Sequence, residues 1–219
     1  MIKFINVFIE AFPFFMNGLI FTAELALSSI SIGFVIGVLV AISRTYGNKL
    51  SYSISTVFVE SIRGTPLLVQ LFIFYFALPQ IGIRLSPLMA AIISFSINSG
   101  AYQAEYIRGA IQSIDKGQMM AALSIGMTKW EGILNVILPQ SLIKVIPSWT
   151  NEFAYLIKYT SVAYLVGVPE LMAEGEFVAS RNFEFMDVFL GVALIYLLIV
   201  MILTWGMARI EKMVRMPGV

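Results

Sequence analysis

The stretch Gly117–Gln140, GQMMAALSIGMTKWEGILNVILPQ, decides how this chain is read. It is a short amphipathic segment set between long apolar runs. Upstream, Ser113 or Asp115 stands where a short side-chain oxygen can cap a helix beginning near Lys116. That helix is predicted to carry Met119, Met120, Ala122 and Leu123 on its apolar face. Gly126 is placed to end it in a left-handed cap. Thr128-Lys-Trp-Glu131 then reads as a capping box, in which hydroxyl and carboxylate satisfy each other's backbone donors. It opens a second helix, expected to end at Leu138-Pro139. Two short helices at an angle make an elbow over 116–138. Ala121, Ala122 and Gly126 remove side-chain bulk, so the groove of another protein can close around the backbone, and the methionines offer adaptable apolar contact. A helix resting on a bilayer surface is the alternative reading of the same pattern.

The surroundings of the elbow call for lipid. The 219 residues are 59% hydrophobic and 12% charged, against roughly 25% charged in soluble domains. Net charge is +1, which gives no electrostatic footprint for nucleic acid. With no Cys and no His, thiol chemistry, disulfides and the commonest metal ligands are excluded. The N-terminal residues, with Lys3 and Glu10 and no small-residue cleavage site, do not read as a cleavable signal peptide.

A membrane helix needs about 20 apolar residues. Five such segments are read, over 14–42, 54–78, 85–107, 142–166 and 188–207, within a single domain, 1–219. Residues 1–12, apolar at Ile2, Phe4, Ile5, Phe8, Ile9 and Phe12, suit a short interfacial helix. An odd number of spans puts the termini on opposite sides. One side collects Arg44, Lys49, Lys116, Lys129, Lys144, Arg209, Lys212 and Arg215; the other holds Lys3, Arg84 and Arg181. The basic side is cytoplasmic, which puts the N-terminus outside. The last outer loop is acidic, with Glu170, Glu174, Glu176, Glu184 and Asp187. In the first span Ser29, Gly33, Gly37 and Ala41 recur every four residues, a stripe on which another helix can approach closely, in this subunit or a partner. Pro66, Pro147 and Pro169 are expected to break or end helices and to free carbonyls.

The paired alanines, Gly126 and the Val136, Leu138, Pro139 ending resemble the cytoplasmic coupling motif of permease subunits of ATP-driven importers. Further matches run in order along the chain: Arg63-Gly-Thr-Pro-Leu-Leu-Val-Gln70, Ala101-Tyr-Gln-Ala-Glu105, Arg108-Gly, and Lys158-x-Thr160-Ser161. Together they are similar to the polar amino acid uptake permeases, the histidine, glutamine and arginine family. The sequence departs from the pattern at Met120, where the motif usually has Glu, and at Tyr159, where Asp is frequent. The resemblance implies an all-α polytopic membrane fold of the type I importer kind. Its partners would be a second permease subunit, identical or closely related, two ATP-binding-cassette ATPases and an extracytoplasmic solute-binding protein. It also implies docking of the ATPase on Met119, Met120, Ala121, Ala122, Leu123 and Gly126. No phosphate-binding Gly-rich loop with Lys-Ser/Thr occurs here, so ATP and Mg belong to another chain and this chain has no cofactor of its own. A secondary transporter or channel working without ATP is the rival reading.

Ionised side chains inside a bilayer mark function or internal pairing. Glu60 with Arg63, and Glu105 with Arg108, are spaced one turn apart and are expected to pair locally as structural ion pairs. Glu152 has no basic residue three or four positions away, while Tyr155 and Tyr159 follow on its face. A lone acid beside tyrosine rings is a cradle for an ammonium or guanidinium. Asn98, with Tyr102 one turn on, can both donate and accept. Asn98, Tyr102, Glu152, Tyr155 and Tyr159 are therefore the candidate solute contacts, with interhelical hydrogen bonding as the alternative role of Asn98 and Glu152. The lone acid and the acidic outer loop point to a cationic amino acid such as arginine, lysine or histidine.

Overall fold

The computed structural model describes residues 2–214, and every regular element among them is helical. Arg215, counted above on the basic side, lies outside the described residues. The first helix, α1 (Ile2–Tyr46), is one continuous helix of 45 residues with Pro13 inside it. The expected separate helix over 1–12 is therefore corrected. Val7, Ala11 and Phe15 are buried with Leu171, Val178, Val188 and Val192, and this packing holds the first turns in line with the span.

Close helix approach explains the small-residue stripe. α1 lies along α4 (Pro87–Gln112), which Ser86 caps by accepting from the Met89 amide. A Cβ at Gly33 would sit 2.9 Å from Gln103 Nε2 and 3.1 Å from the Gly100 nitrogen; one at Gly37 would sit 2.8 Å from Gln103 Cβ. Ser29 and Ala41 are fully buried. The stripe is consumed within the subunit.

The segment read as a second span, 54–78, is not one rod. α2 (Lys49–Arg63) and α3 (Leu67–Phe72) meet at a bend of 102°. Pro66 lacks an N–H and holds the residue before it extended, so the helix stops at Gly64-Thr65. Two of the corner's carbonyls are taken by a side chain. Gln70 is buried beneath the corner and donates to the Ile62 carbonyl at 2.7 Å and the Thr65 carbonyl at 3.1 Å. α3 continues as a π turn over Ile73–Ala77 and a 3-10 turn over Leu78–Ile81.

At the elbow, α5 (Lys116–Ser124) is capped by Asp115, whose carboxylate accepts from the Gly117 amide. Gly126 has φ +90°, the left-handed turn expected of it. α6 (Lys129–Gly132) opens with the Thr128–Glu131 capping box. The second helix does not end at Leu138-Pro139, however. A π turn over Ile133–Ile137 leads directly into α7 (Leu138–Tyr159). Pro139 falls in the first turn of α7, where its missing N–H costs little. Pro147 is likewise accommodated inside α7, which passes into a 3-10 turn over Thr160–Val166.

The segment between the last two spans contains a helix that its acidic composition concealed, α8 (Leu171–Asn182), followed by α9 (Phe185–Val214). Glu170 caps α8, accepting from the Met172 and Ala173 amides at 2.9 Å each and from the Tyr196 hydroxyl at 2.8 Å. It is fully buried, so it is a structural anchor rather than part of an acidic mouth. Glu184 pairs with Lys3 at 2.7 Å.

Among the described residues α1 and α9 are long and apolar enough to cross a membrane, and the bent pair makes a third if taken as one span. α4, with 26 residues, and α7, with 22, match the bilayer core in length, about 39 and 33 Å at 1.5 Å per residue. They carry the polar residues of the site, which lowers their hydropathy. A cluster of Leu25, Ala26, Phe95, Phe153, Leu156 and Ile157 fixes α7 against α1 and α4.

Candidate functional site

All five candidate solute contacts line one cavity of about 650 Å³, together with the corner residues Arg63–Leu68, Tyr106, Leu156 and Val162. α4 contributes Asn98, Tyr102 and Tyr106; α7 contributes Glu152, Tyr155 and Tyr159. The volume is within the range of small-molecule sites, about 300–1,000 Å³. Tyr155 and Tyr159 are half-exposed, so the cavity opens on their side.

Glu152 is 7% exposed. Its Oε1 accepts from the Ser99 hydroxyl at 2.8 Å. Gln103 supports Ser99 by donating to its Oγ at 3.0 Å, and Trp149 Nε1 donates to Gln103 Oε1 at 2.9 Å. This relay starts and ends on α7 and passes through α4, so it fixes the carboxylate without neutralising it. Among the described residues no Lys or Arg lies within 4.0 Å of Glu152. Lys158 Nζ stands 4.3 Å from the Tyr155 ring centroid, and Arg63 lies 3.9 Å from Glu105.

The tyrosines divide. Tyr155 and Tyr159 stack with centroids 6.4 Å apart. Tyr155 already carries Lys158, and Tyr102 carries Arg63 at 5.1 Å, so two of the three rings have a cation of this chain on a face. Asn98 makes the interhelical bond given as its alternative, donating from Nδ2 to Gln70 Oε1 at 3.1 Å. It does so while lining the cavity.

The charged residues around Glu105 are arranged differently from the local pairs expected. Glu105 and Arg108 do pair, with Arg108 Nη2 donating to Oε2 at 2.8 Å. Glu60 and Arg63 do not. Glu60 lies 3.9 Å from Arg44, and Arg63 lies 3.9 Å from Glu105. The hub is Glu105, which accepts from Arg44 as well as Arg108. Arg44 had been counted only as a flanking positive charge. It follows Ala41 by three residues, on the face of the small-residue stripe, and that register is the signal that could have found it. Ser99 and Gln103 were also missed; they stand one turn apart on the buried side of α4.

On the elbow, Met120, Leu123, Ile125 and Trp130 are exposed, as are Ala121 and Gly126. Ala122 is buried, and Met119 is partly so; a Cβ on Gly132 would sit 2.9 Å from Met119 Sδ and 3.5 Å from Ala122 Cβ. Of the expected docking set, Met119 and Ala122 hold α5 against α6, while Met120, Ala121, Leu123 and Gly126 face outward. Ile125 and Trp130 join the exposed surface.

A helical membrane fold with a buried acid facing a cavity and an exposed apolar elbow is the arrangement of a solute permease subunit. Residues 33–216 match the family described as the binding-protein-dependent transport system inner membrane component, and the chain belongs to that family. The glutamine transport system permease protein of Escherichia coli (strain K12) is 38% identical over 204 residues, covering 92% of this chain and 93% of that one. A probable amino-acid ABC transporter permease of Vibrio harveyi is 39% identical over 214 residues, covering 94% and 96%. Among solved structures, an amino acid ABC transporter crystallised with histidines is 31% identical with a TM-score of 0.87, covering 94% of this chain and 96% of its own. An inward-facing methionine ABC transporter, 22% identical with a TM-score of 0.79, shares the fold. The chain is thus a non-catalytic, multi-pass inner-membrane subunit of an amino acid ABC importer, working with ATPase, permease and binding-protein partners.

Proposed function

We propose that this subunit carries a polar α-amino acid through the cavity between α4 and α7, with Glu152 receiving its ammonium group. The observation that carries the reading is the buried Glu152 carboxylate, which accepts from Ser99, has the Tyr106 hydroxyl directed at it and faces the cavity with no cation of the chain beside it. Ammonium is common to every amino acid, so this contact alone does not select a side chain. The glutamine permease relative supports a neutral polar side chain. Lys158 and Arg63 on the tyrosine rings support the same choice, since a cationic side chain would meet them there. A second reading, a cationic solute such as arginine, lysine or histidine, is favoured by Glu174, Glu176 and Asp187 on the outer segment.

Two such subunits, identical or closely related, would enclose the path, with two ATPase subunits holding ATP and Mg on the cytoplasmic side. The N-terminus faces outward, toward the binding protein, and the elbow's exposed Met120, Ala121, Leu123 and Gly126 seat in the ATPase. The π turn joins that elbow to α7, so force applied at the elbow reaches the helix carrying Glu152. Alternating access follows from moving α7 against α4.

The test is amino-acid-stimulated ATPase activity of the assembled transporter in proteoliposomes, with L-glutamine and L-arginine as solutes. Glu152→Gln is expected to reduce the response to both by tenfold or more. An unchanged response removes Glu152 from the solute site, and stimulation by L-arginine alone favours the cationic reading.

A further inference from the structure

The charges around Glu105 are unequal in their engagement. Glu105 Oε1 accepts from Arg44 Nη1 and, at 3.2 Å, from Arg108 Nε; its Oε2 accepts from Arg108 Nη2 at 2.8 Å. Both oxygens are therefore served by two guanidinium groups. Arg63 stands off at 3.9 Å from Oε2, beyond hydrogen-bond distance, and among the described residues its guanidinium donates no hydrogen bond. Three arginines, Arg44, Arg63 and Arg108, face two glutamates, Glu60 and Glu105, so the cluster keeps one positive charge in excess.

Arg63 is the member of that cluster that lines the cavity. Its side chain is 36% exposed, and the Tyr102 ring supports it at 5.1 Å. The cavity thus holds one carboxylate without a cation, Glu152, and one guanidinium without a hydrogen-bonded acceptor, Arg63. We infer that Arg63 binds the α-carboxylate of the solute, so that the two unmatched charges together recognise an amino acid zwitterion. The planar fork of a guanidinium matches a carboxylate through two parallel N–H···O bonds, which an ammonium cannot reproduce. Arg63 is the last residue of α2, at the bent corner, so a solute held by Arg63 and Glu152 bridges the corner to α7. The inference rests on the cavity assigned above as the solute site.

The measurement is direct binding to the purified permease–ATPase complex in detergent, without binding protein. Radiolabelled L-glutamine and L-arginine are competed with the acids and with their α-carboxamides, L-glutaminamide and L-argininamide. The wild-type complex is expected to prefer acid over amide by at least tenfold. Arg63→Gln is expected to weaken the acid by about that factor, leave the amide unchanged and so abolish the preference. Glu152→Gln is expected to weaken acid and amide alike and to preserve the ratio. A wild-type preference retained in Arg63→Gln overturns the inference while leaving the cavity reading intact. A Glu152→Gln complex that binds both compounds normally, or a wild-type complex that binds neither acid, defeats the cavity reading and this inference with it. Should Arg63→Gln not assemble with the ATPase, Arg63→Lys carries the test: a preference reduced threefold or more supports the inference, and an unchanged one overturns it.

Discussion

Glu152 sets the residue-scale problem, because an ionised carboxylate inside a bilayer costs about 2.5–3.5 kcal/mol on insertion scales. A hydrogen bond to a charged group returns about 1.5–3 kcal/mol. The bond from Ser99 at 2.8 Å, with the Tyr106 hydroxyl also directed at the carboxylate, therefore does little more than offset that cost. A residue kept for stability would have acquired a basic neighbour, as Glu105 has in Arg44 and Arg108. The consequence separates function from architecture. Glu152→Gln is expected to leave the melting temperature of the detergent-purified complex unchanged or to raise it, while solute response is lost. A fall of several degrees would mark Glu152 as a structural partner. That these five residues would share one cavity was legible because face arguments on a helix need only local spacing: Tyr155 and Tyr159 follow Glu152, and Tyr102 follows Asn98. The partners of Arg63 and Glu60 were not legible. Spacing put them on each other, but contacts across helices decided otherwise, and the link between Arg44 and Glu105 spans 61 residues of sequence.

At the scale of the element, the elbow is specified by caps, which are local and therefore readable. Asp115, Thr128 with Glu131, and Gly126 stand where the sequence puts them. What spacing could not reveal is the continuation through the π turn into α7, because Pro139 reads as a stop wherever the preceding turn is not already helical. The α2–α3 corner was visible as Pro66, whereas its 102° angle and its fastening by Gln70 depend on packing. Gly126→Ala meets no neighbouring atom, so its cost is the left-handed backbone alone, about 1–2 kcal/mol. The Ile125 and Met127 amides, which donate to Ala121 and Ala122, are expected to exchange hydrogen about tenfold faster in that variant. Unchanged exchange would mean that the turn does not hold the elbow. The backbone N–H of Thr128, then its hydroxyl, holds the Glu131 carboxyl below the usual carboxylate range. A depressed carboxyl stabilises the folded cap above its ordinary range and loses that contribution as pH falls through the lowered value. The cap is thus intact at neutral pH, and its exchange protection is expected to be flat from pH 6 to 8; a change across that window would contradict this.

For the whole molecule, two regions of opposite character share one helix. An exposed apolar elbow, free of bulk at Ala121 and Gly126, leads through the Ile133–Ile137 π turn into α7, which carries Glu152 into the cavity. The family and the all-helical fold were legible because apolar length and a spread of short motifs survive without contact information. Helix α8 was not, because an acidic stretch reads as a loop until Glu170 is seen buried as its cap. The link between elbow and cavity is the central claim, and it is tested by placing charge on the outward face of the elbow. Ala121→Glu with Leu123→Glu leaves the α5–α6 contact made by Met119 and Ala122 untouched. In proteoliposomes containing ATPase and binding protein, ATP-driven uptake of L-glutamine and L-arginine by this variant is expected to fall to background, with membrane insertion at the wild-type level. Uptake at the wild-type rate would contradict the claim that the elbow receives the force that moves α7.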